Sequence, residues 1–441
     1  ARGARTADEA PVRLGMAELE RAALLFHADL RVARLEAGVA RASADFAGLW
    51  DDPSVGFQWT RFVELAGRPD ELFGLASLTI PLSGRLEFEK ARLGAEHAVA
   101  LEEVAALEWR VRMDLARAWT RWRAARALVV ETRRFVAAID AILPVVAAME
   151  EIGELARTEA RLLRIERAAA AADLVRLEAD EGRLALLVAA AAGLPPVVAD
   201  WLDASEMSEM SQASEASGGV TGAGAVAVHE TVHRASDGDD AGSSGTESSA
   251  ADASVAVEGA AVDDSPPVRV ARAAYEAAER RLAEEVRRQY PDLVLGPGYG
   301  TQDGERQFQL GVSVALPLWN RNQRAIAEAE AAREVARAAL ERAVEFRELA
   351  LASARRIEAG ARAVRILVED ELLPLAEAQY AESRELARLG EVHVLGLLAG
   401  LGQLLDARQR LVEARRDEAL ASIEVREAIG TPVAVINGGG S

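Results

Sequence analysis

Alternation of large apolar residues with small or polar ones marks the clearest local structure in this chain. Between Phe308 and Leu316 every second residue is large and apolar, and the residues between them are Gln, Gly, Ser or Ala. The same alternation begins at Val55. A period of two predicts β-strands with one apolar face and one small or polar face. The apolar positions are Val55, Phe57, Trp59, Phe308, Leu310, Val312, Val314 and Leu316.

Turn residues group the alternating stretches into two β-hairpins. The first hairpin turns around Gly67-Arg-Pro-Asp70 and the second at Asp303-Gly304, both typical turn sequences. The predicted strands are Val55–Thr60, Leu72–Ile80, Leu293–Thr301 and Phe308–Leu316.

Helical composition follows the first hairpin without interruption. From Arg85 to about Arg157 the chain is rich in Ala, Leu, Arg and Glu, and only Pro144 would kink it. That predicts a helix of roughly 73 residues, on the order of 110 Å long. We expect a break near Arg157–Ala160 and a second helix from there to Ala192, where Gly193-Leu-Pro-Pro stops it.

The second half of the chain repeats the first. Ser77–Arg85 (SLTIPLSGR) corresponds to Ser313–Arg321 (SVALPLWNR), an offset of 236 residues (313 minus 77). Each copy ends a strand at a proline, which cannot donate to a sheet, and opens into a long helix. The strand-to-helix exits are Pro81, Arg85, Pro317 and Arg321. In the second half the long helix is expected to kink at Pro374 and to turn at Gly390.

Composition divides the chain into four segments. Between Asp200 and Ser265 there are fourteen acids and one base, Arg234, so about −13 of the net charge of −20 lies there. This Ser/Ala/Gly-rich tract has few aromatics and is predicted to be a disordered insertion. The predicted segments are a first repeat (1–192), the insertion (193–264), a second repeat (265–430) and a flexible tail (431–441).

The absence of cysteine from the sequence excludes disulfides, Cys-based zinc sites and a thiol nucleophile. No basic stripe stands out, so no nucleic-acid partner is expected. The sequence contains no run of about twenty apolar residues, so no membrane helix is predicted. Membrane β-strands, which are short and alternating, stay possible.

Two environments fit the alternating strands. One is a soluble sheet packed on a core; the other is a membrane barrel with lipid outside and water inside. The attached helices are too long to fold back over a small sheet, which favours the membrane. Four strands cannot close a barrel, so the strands of several chains would have to be shared. Two chains would give eight strands and three would give twelve, and the periodicity does not choose.

The order of these elements resembles the outer membrane efflux proteins, the TolC-like outer membrane factors. The resemblance rests on the two hairpins, the P-L-x-x-R exits into long helices, Tyr290-Pro-Asp-Leu before a strand, and Leu404-Leu-Asp-Ala-Arg408 in the last helix. It covers nearly everything except 193–264. It implies a mainly α protein in which long helical hairpins form a periplasmic tunnel. Two β-hairpins per chain would contribute to a shared trimeric, twelve-stranded barrel in the outer membrane lipid of a Gram-negative cell.

The function that this resemblance implies is that of an exit duct. Such a trimer takes substrates from an inner-membrane pump, here expected to be of the RND type, through a periplasmic adaptor, and needs no cofactor. The periplasmic ends of the helical hairpins would dock the adaptor and gate the tunnel. The residues expected there are Arg157, Thr158, Glu159, Ala160, Arg388, Leu389, Gly390, Glu391 and Val392. The first of these ends lacks the glycine that is usual in the family.

Two other functions compete with the duct. His229-Glu230-Thr-Val-His233 matches the HExxH zinc-protease signature, but it lies in the Gly- and acid-rich tract without a third histidine nearby, which argues against a zinc peptidase. A soluble coiled-coil scaffold whose hairpins bind a partner is the other alternative. It would need no detergent for extraction.

Overall fold

The computed structural model describes residues 14–61, 70–202, 265–302, 305–388 and 394–430. They fall into two compact units, which we name by their content. The sheet unit lies within 31–107 and 263–347, and the helical unit within 1–30, 108–262 and 348–441. Both predicted repeats contribute to both units, and the long helices run from one unit into the other.

Helices and strands follow one another in the order that the repeat predicts. The elements are α1 (Met16–Phe26), α2 (Ala28–Asp45), β1 (Ser54–Thr60), β2 (Glu71–Ile80), α3 (Arg85–Glu151), α4 (Arg157–Ala191), a 3₁₀ helix (Pro196–Trp201), α5 (Pro266–Arg287), β3 (Leu293–Gln302), β4 (Glu305–Val314), α6 (Gln323–Leu367), a π-helical turn (Val368–Leu372), α7 (Leu373–Arg388) and α8 (Val394–Ile429). The predicted fold class, mainly α with a small sheet, is confirmed.

The sheet unit contains one antiparallel sheet in the order β1-β2-β3-β4. Both predicted hairpins are therefore present, and β2 joins them by pairing with β3. The strand predicted at Phe308–Leu316 begins earlier, at Glu305, and ends at Val314, so Leu316 lies beyond it. The turn predicted at Asp303-Gly304 lies outside the described residues.

The helical unit turns between α3 and α4 at residues 152–156, earlier than expected. Gly153 has φ of +80°, a left-handed conformation that glycine adopts at little cost. Nearby, the amides of Glu154 and Leu155 both donate to the carbonyl of Met149. The break expected near Arg157–Ala160 is present but lies just before those residues, which form the first turn of α4. The hairpin end does contain a glycine, four residues before Arg157.

Buried side chains of the helical unit hold this end of the hairpin together. One cluster joins α3, the turn, α4 and α8, and α3 carries further buried aromatic residues before it. The cluster includes Phe135, Ile139, Val146, Leu155, Leu163 and Leu401. Trp119 and Trp122 are buried with ring centroids 4.9 Å apart.

Irregular helix geometry appears where Pro374 predicted a kink. The five residues Val368–Leu372 form a π-helical turn that separates α6 from α7. Proline cannot donate the backbone bond of a regular helix, and a π turn is one way to accommodate it. Pro144, in contrast, lies inside the continuous helix α3.

Two bounds near the N-terminal helices differ from expectation. Apolar residues recur at helical spacing from about Arg13 to Gly48, which predicts a helix, but the structure breaks it at His27, whose ψ of 128° is not helical. Gly193 packs there, so closely that a Cβ would lie 2.7 Å from the His27 Cα. The start of the predicted insertion is ordered, since Pro196–Trp201 is a 3₁₀ helix and Leu202 bridges to Leu14.

Candidate functional site

The sheet presents one apolar face to its surroundings. Directly paired residues point to the same side of a sheet, so the registers Val55↔Ala76, Gly74↔Tyr299 and Leu295↔Val312 place most of the large apolar residues of the four strands together. All eight residues predicted to form this face are exposed, from 43% for Val314 to 79% for Phe57. Tyr299 and Leu72 add to it at 58% and 56%. Within the described residues, no core covers this apolar face.

The opposite face of the sheet is mostly small and polar. It carries Ser54, Gly56, Gln58, Thr60, Ser77, Thr79, Gly296, Gly298, Gly300, Gln307, Gln309, Gly311 and Ser313, and the register also places the apolar Leu75 and Val294 there. The hydroxyls of Ser54 and Ser77 are 2.8 Å apart and share a hydrogen bond. We call this side the polar face.

Phe73 is the aromatic exception on the polar face, and its ring lies over two glycines of the neighbouring strand. A Cβ on Gly300 would lie 2.3 Å from the Phe73 ring, and one on Gly298 would lie 2.5 Å from it. Both glycines are buried. Aromatic cover of glycine is a known means of fixing strand register. It fixes β2 against β3, the junction between the two repeats.

The first strand-to-helix exit is held by ion pairs. Pro81 follows β2, and Arg85 is the first residue of α3. The Arg85 guanidinium contacts the carboxylate of Asp51, before β1, at 3.0 Å and that of Asp292, before β3, at 3.3 Å. Arg85 therefore connects the entries of two strands to the start of one helix.

The second exit uses a different residue. Pro317 follows β4, but Arg321 is exposed and forms no ion pair within the described part of the chain. Its neighbour Asn322 has φ of +59°, which asparagine tolerates better than most residues. The Asn322 side-chain amide donates to the backbone carbonyl of Glu285 at 2.9 Å and to its carboxylate at 2.7 Å.

A buried carboxylate, which the sequence pattern did not indicate, connects helices α3 and α5. Glu284 is 1% exposed and accepts from Arg92 at 2.5 Å, while Arg288 lies at the same distance. Burial lowers the pKa of Arg92, but its hydrogen bonds to Glu284 and Glu96 outweigh burial and raise the pKa overall. Glutamate among arginines on two helices is too common a pattern to have identified this pair.

The five predicted docking residues that the structure describes lie at helix ends in the helical unit. Arg157 and Thr158 are exposed, Glu159 is half-buried and Ala160 is buried in the first turn of α4. Ile152, in the preceding turn, is 69% exposed although it is large and apolar. Arg388 is the last residue of α7. The other four predicted residues, Leu389, Gly390, Glu391 and Val392, lie outside the described residues.

An ion-pair network ties the π-helical turn to α8. Glu369 in the turn pairs with Arg365, one helical turn earlier, and with Arg415 of α8. Glu418 of α8 in turn pairs with Arg365 and Arg362. Burial raises the pKa of Glu369, but the hydrogen bonds and charges of Arg415 and Arg365 outweigh it and leave that pKa below its ordinary value.

The described residues contain neither a metal-binding group nor a membrane-spanning helix. Among the described residues, no three His, Asp or Glu side chains are grouped as a metal site would require. The residues His229, Glu230 and His233 lie outside the described ranges. None of the described helices is both long enough and apolar enough to cross a bilayer.

Solved structures of bacterial outer membrane channels have the same architecture. The chain is similar to the outer membrane protein VceC from Vibrio cholerae over 94% of this chain and 96% of that one, with 16% identity and a TM-score of 0.69. It is similar to CusC, whose structures are described in terms of folding and transmembrane channel formation, over 95% of this chain and 92% of that one, with 15% identity and a TM-score of 0.71. It is also similar to the open state of the MtrE outer membrane channel of Neisseria gonorrhoeae, over 95% of this chain and 89% of that one, with 14% identity and a TM-score of 0.67.

The chain has their fold. At these identities the similarity establishes architecture over nearly the whole length, which is the fold that the resemblance in sequence order implied. By sequence, neither a protein-family model nor a curated protein matches the chain.

Proposed function

We propose that this protein is the outer membrane channel of a tripartite efflux pump. The observation that carries the proposal is the apolar face of the sheet, whose large side chains are exposed along β1 and β4 and at Leu72 of β2 and Tyr299 of β3. A soluble protein rarely leaves so large an apolar surface uncovered. Lipid on this side and water on the polar face would match both faces.

Three copies would complete the channel. Within the described residues, the outer edges of β1 and β4 have no partner strand. Unpaired backbone groups are too costly in lipid, so the edges must meet other strands. Three chains would supply twelve strands of a shared barrel, and the long helices would form a tunnel in the periplasm.

The duct would perform no chemistry of its own. An inner-membrane pump of the RND type would deliver substrates through a periplasmic adaptor. We assign adaptor docking and gating to the helix ends around Arg157–Ala160 and Arg388–Val392, together with the exposed turn at residues 152–156. Exposed Ile152 and Arg157 would give an adaptor one apolar and one charged contact there.

Extraction and mass measurement test this function. The chain is expressed with an export signal, and envelopes are extracted first without and then with a mild detergent. We expect the protein only in the detergent extract, with a detergent-corrected protein mass near three chains of 47.0 kDa. Circular dichroism should give dominant helix with some strand.

A monomer or dimer in the aqueous extract would contradict the channel. It would favour the soluble coiled-coil scaffold instead, whose hairpins would bind a protein partner.

A further inference from the structure

The internal repeat relates each strand of the first hairpin to one of the second. Ser77 of β2 corresponds to Ser313 of β4, an offset of 236. Ser77 pairs with Ser54 in the first hairpin, and Ser313 pairs with Val294 in the second. Ser54 of β1 therefore corresponds to Val294 of β3, an offset of 240 (294 minus 54).

These offsets give equivalent residues just outside the strands. Arg85 corresponds to Arg321, and Asp292 corresponds to Asp52. Within one copy, Arg85 and Asp292 form an ion pair at 3.3 Å across the β2–β3 junction, and their side chains are 26% and 27% exposed. Arg321 and Asp52 are both exposed, and neither forms an ion pair or hydrogen bond with any described residue.

We propose that β4 of one copy pairs with β1 of the next in the register of the internal β2–β3 junction, and that Arg321 pairs with Asp52 of the neighbouring copy. This rests on the proposed trimer and specifies how its chains meet. The internal pair Leu78↔Leu295 corresponds, by the offsets of 236 and 240, to Val314 opposite Val55 of the neighbouring copy. Gly74↔Tyr299 becomes Leu310 opposite Trp59 of the neighbouring copy. We call this contact the seam.

Side-chain chemistry at the seam agrees with this register. Apolar residues meet apolar residues on one face, and on the other Gln309 comes opposite Thr60 of the neighbouring copy. A slip by one residue would set apolar side chains against polar ones and break both faces. The seam has no equivalent of the Phe73 ring over Gly300, because those positions become Gln309 and Thr60, which can hydrogen-bond instead.

Paired cysteines test the register directly, because the natural chain has none. The double variant Leu310→Cys/Trp59→Cys should form disulfide-linked dimers and trimers on mild oxidation, resolved on a non-reducing gel. A disulfide within one chain is excluded, since β1 and β4 are three strand spacings apart, about 14 Å, and a disulfide spans at most about 7 Å between Cα atoms.

A shifted pair is the matched control. In Leu310→Cys/Val55→Cys the second cysteine is moved four residues along β1, about 13 Å, so it should stay unlinked. If the control pair forms the disulfide and the first pair does not, the proposed register is wrong. A trimeric mass in the same sample would still support the proposed channel. A protein that never assembles would overturn the seam and the proposed channel together.

Charge reversal tests the ion pair. We expect Arg321→Glu to lower the trimer fraction of dilute detergent-solubilised protein by about tenfold, because repulsion then replaces attraction at each of three seams. Adding Asp52→Arg should restore the trimer. Arg324→Glu reverses a nearby arginine that pairs within its own helix, and it should leave the trimer fraction close to that of the parent. Loss without restoration in the double variant would overturn the pairing.

Discussion

At the scale of single residues, glycines set how closely the two hairpins approach. A Cβ on Gly300 would lie 2.5 Å from the backbone oxygen of Leu72 and 2.7 Å from the Cα of Phe73. Gly56 is on the same polar face, yet a Cβ there would meet nothing within 4 Å. The two glycines share a face but differ in what a methyl group would displace.

Alanine substitution should separate these two glycines. We expect Gly300→Ala to reduce the free energy of unfolding by about 1–3 kcal/mol, because backbone atoms of β2 must move apart from β3. Gly56→Ala should change it by less than about 0.5 kcal/mol. Denaturant unfolding of both detergent-solubilised variants, followed by circular dichroism, measures the difference. Equal stability of the two variants would mean that the junction accommodates a methyl group.

At the scale of elements, the π-helical turn depends on charge as well as on Pro374. The folded protein lowers the pKa of Glu369, so the unfolded chain binds a proton more readily. Its stabilising effect is therefore complete above the unfolded pKa and is lost as the pH falls through the folded pKa. Removing the charge should matter at neutral pH and not in acid.

Glu369→Gln is the variant that tests this linkage. We expect it to lose about 1 kcal/mol of stability at pH 7. The difference from the parent should shrink as the pH falls through the folded pKa, where the parent carboxylate itself takes up a proton. Glu371→Gln in the same turn is the control, because Glu371 is exposed and pairs with no described residue. Unfolding midpoints across this pH range give the comparison. A constant difference from pH 7 to pH 3 would contradict the linkage.

Elements with a strong local period were predictable from the sequence. Both hairpins and the long helices followed from alternation and composition. The turn was misplaced because Gly153, whose positive φ makes the turn, lies in an otherwise helical composition. The break at His27 could not be predicted, since Gly193, which packs against it, is 166 residues away in the sequence.

The same distinction applies to the candidate site. Seven of the eight predicted apolar-face residues lie on the strands, and they could be named because a strand's period fixes its faces. Asn322 and Glu284 could not, because their roles depend on Glu285 and Arg92, which reach them only through the tertiary fold.

At the scale of the whole molecule, the two faces of one strand should respond oppositely to the same charge. Leu310 and Gln309 are adjacent in the middle of β4, and the pleat points them to opposite sides of the sheet. If the apolar face meets lipid, an arginine at Leu310 must enter hydrocarbon near the middle of the bilayer, at a cost of about 2–4 kcal/mol per chain. An arginine at Gln309 would face water.

Outer membrane yield measures this difference. We expect Leu310→Arg to lower the amount of trimer recovered from the outer membrane several-fold, because three charges would enter lipid in one assembly. Gln309→Arg should be recovered at near the parental level, because an arginine there faces water and can still donate a hydrogen bond to Thr60 of the neighbouring copy. In a soluble scaffold neither side chain would meet lipid, and the two variants would be extracted alike. Similar recovery of both variants would therefore argue against lipid at the apolar face, whatever the oligomeric mass.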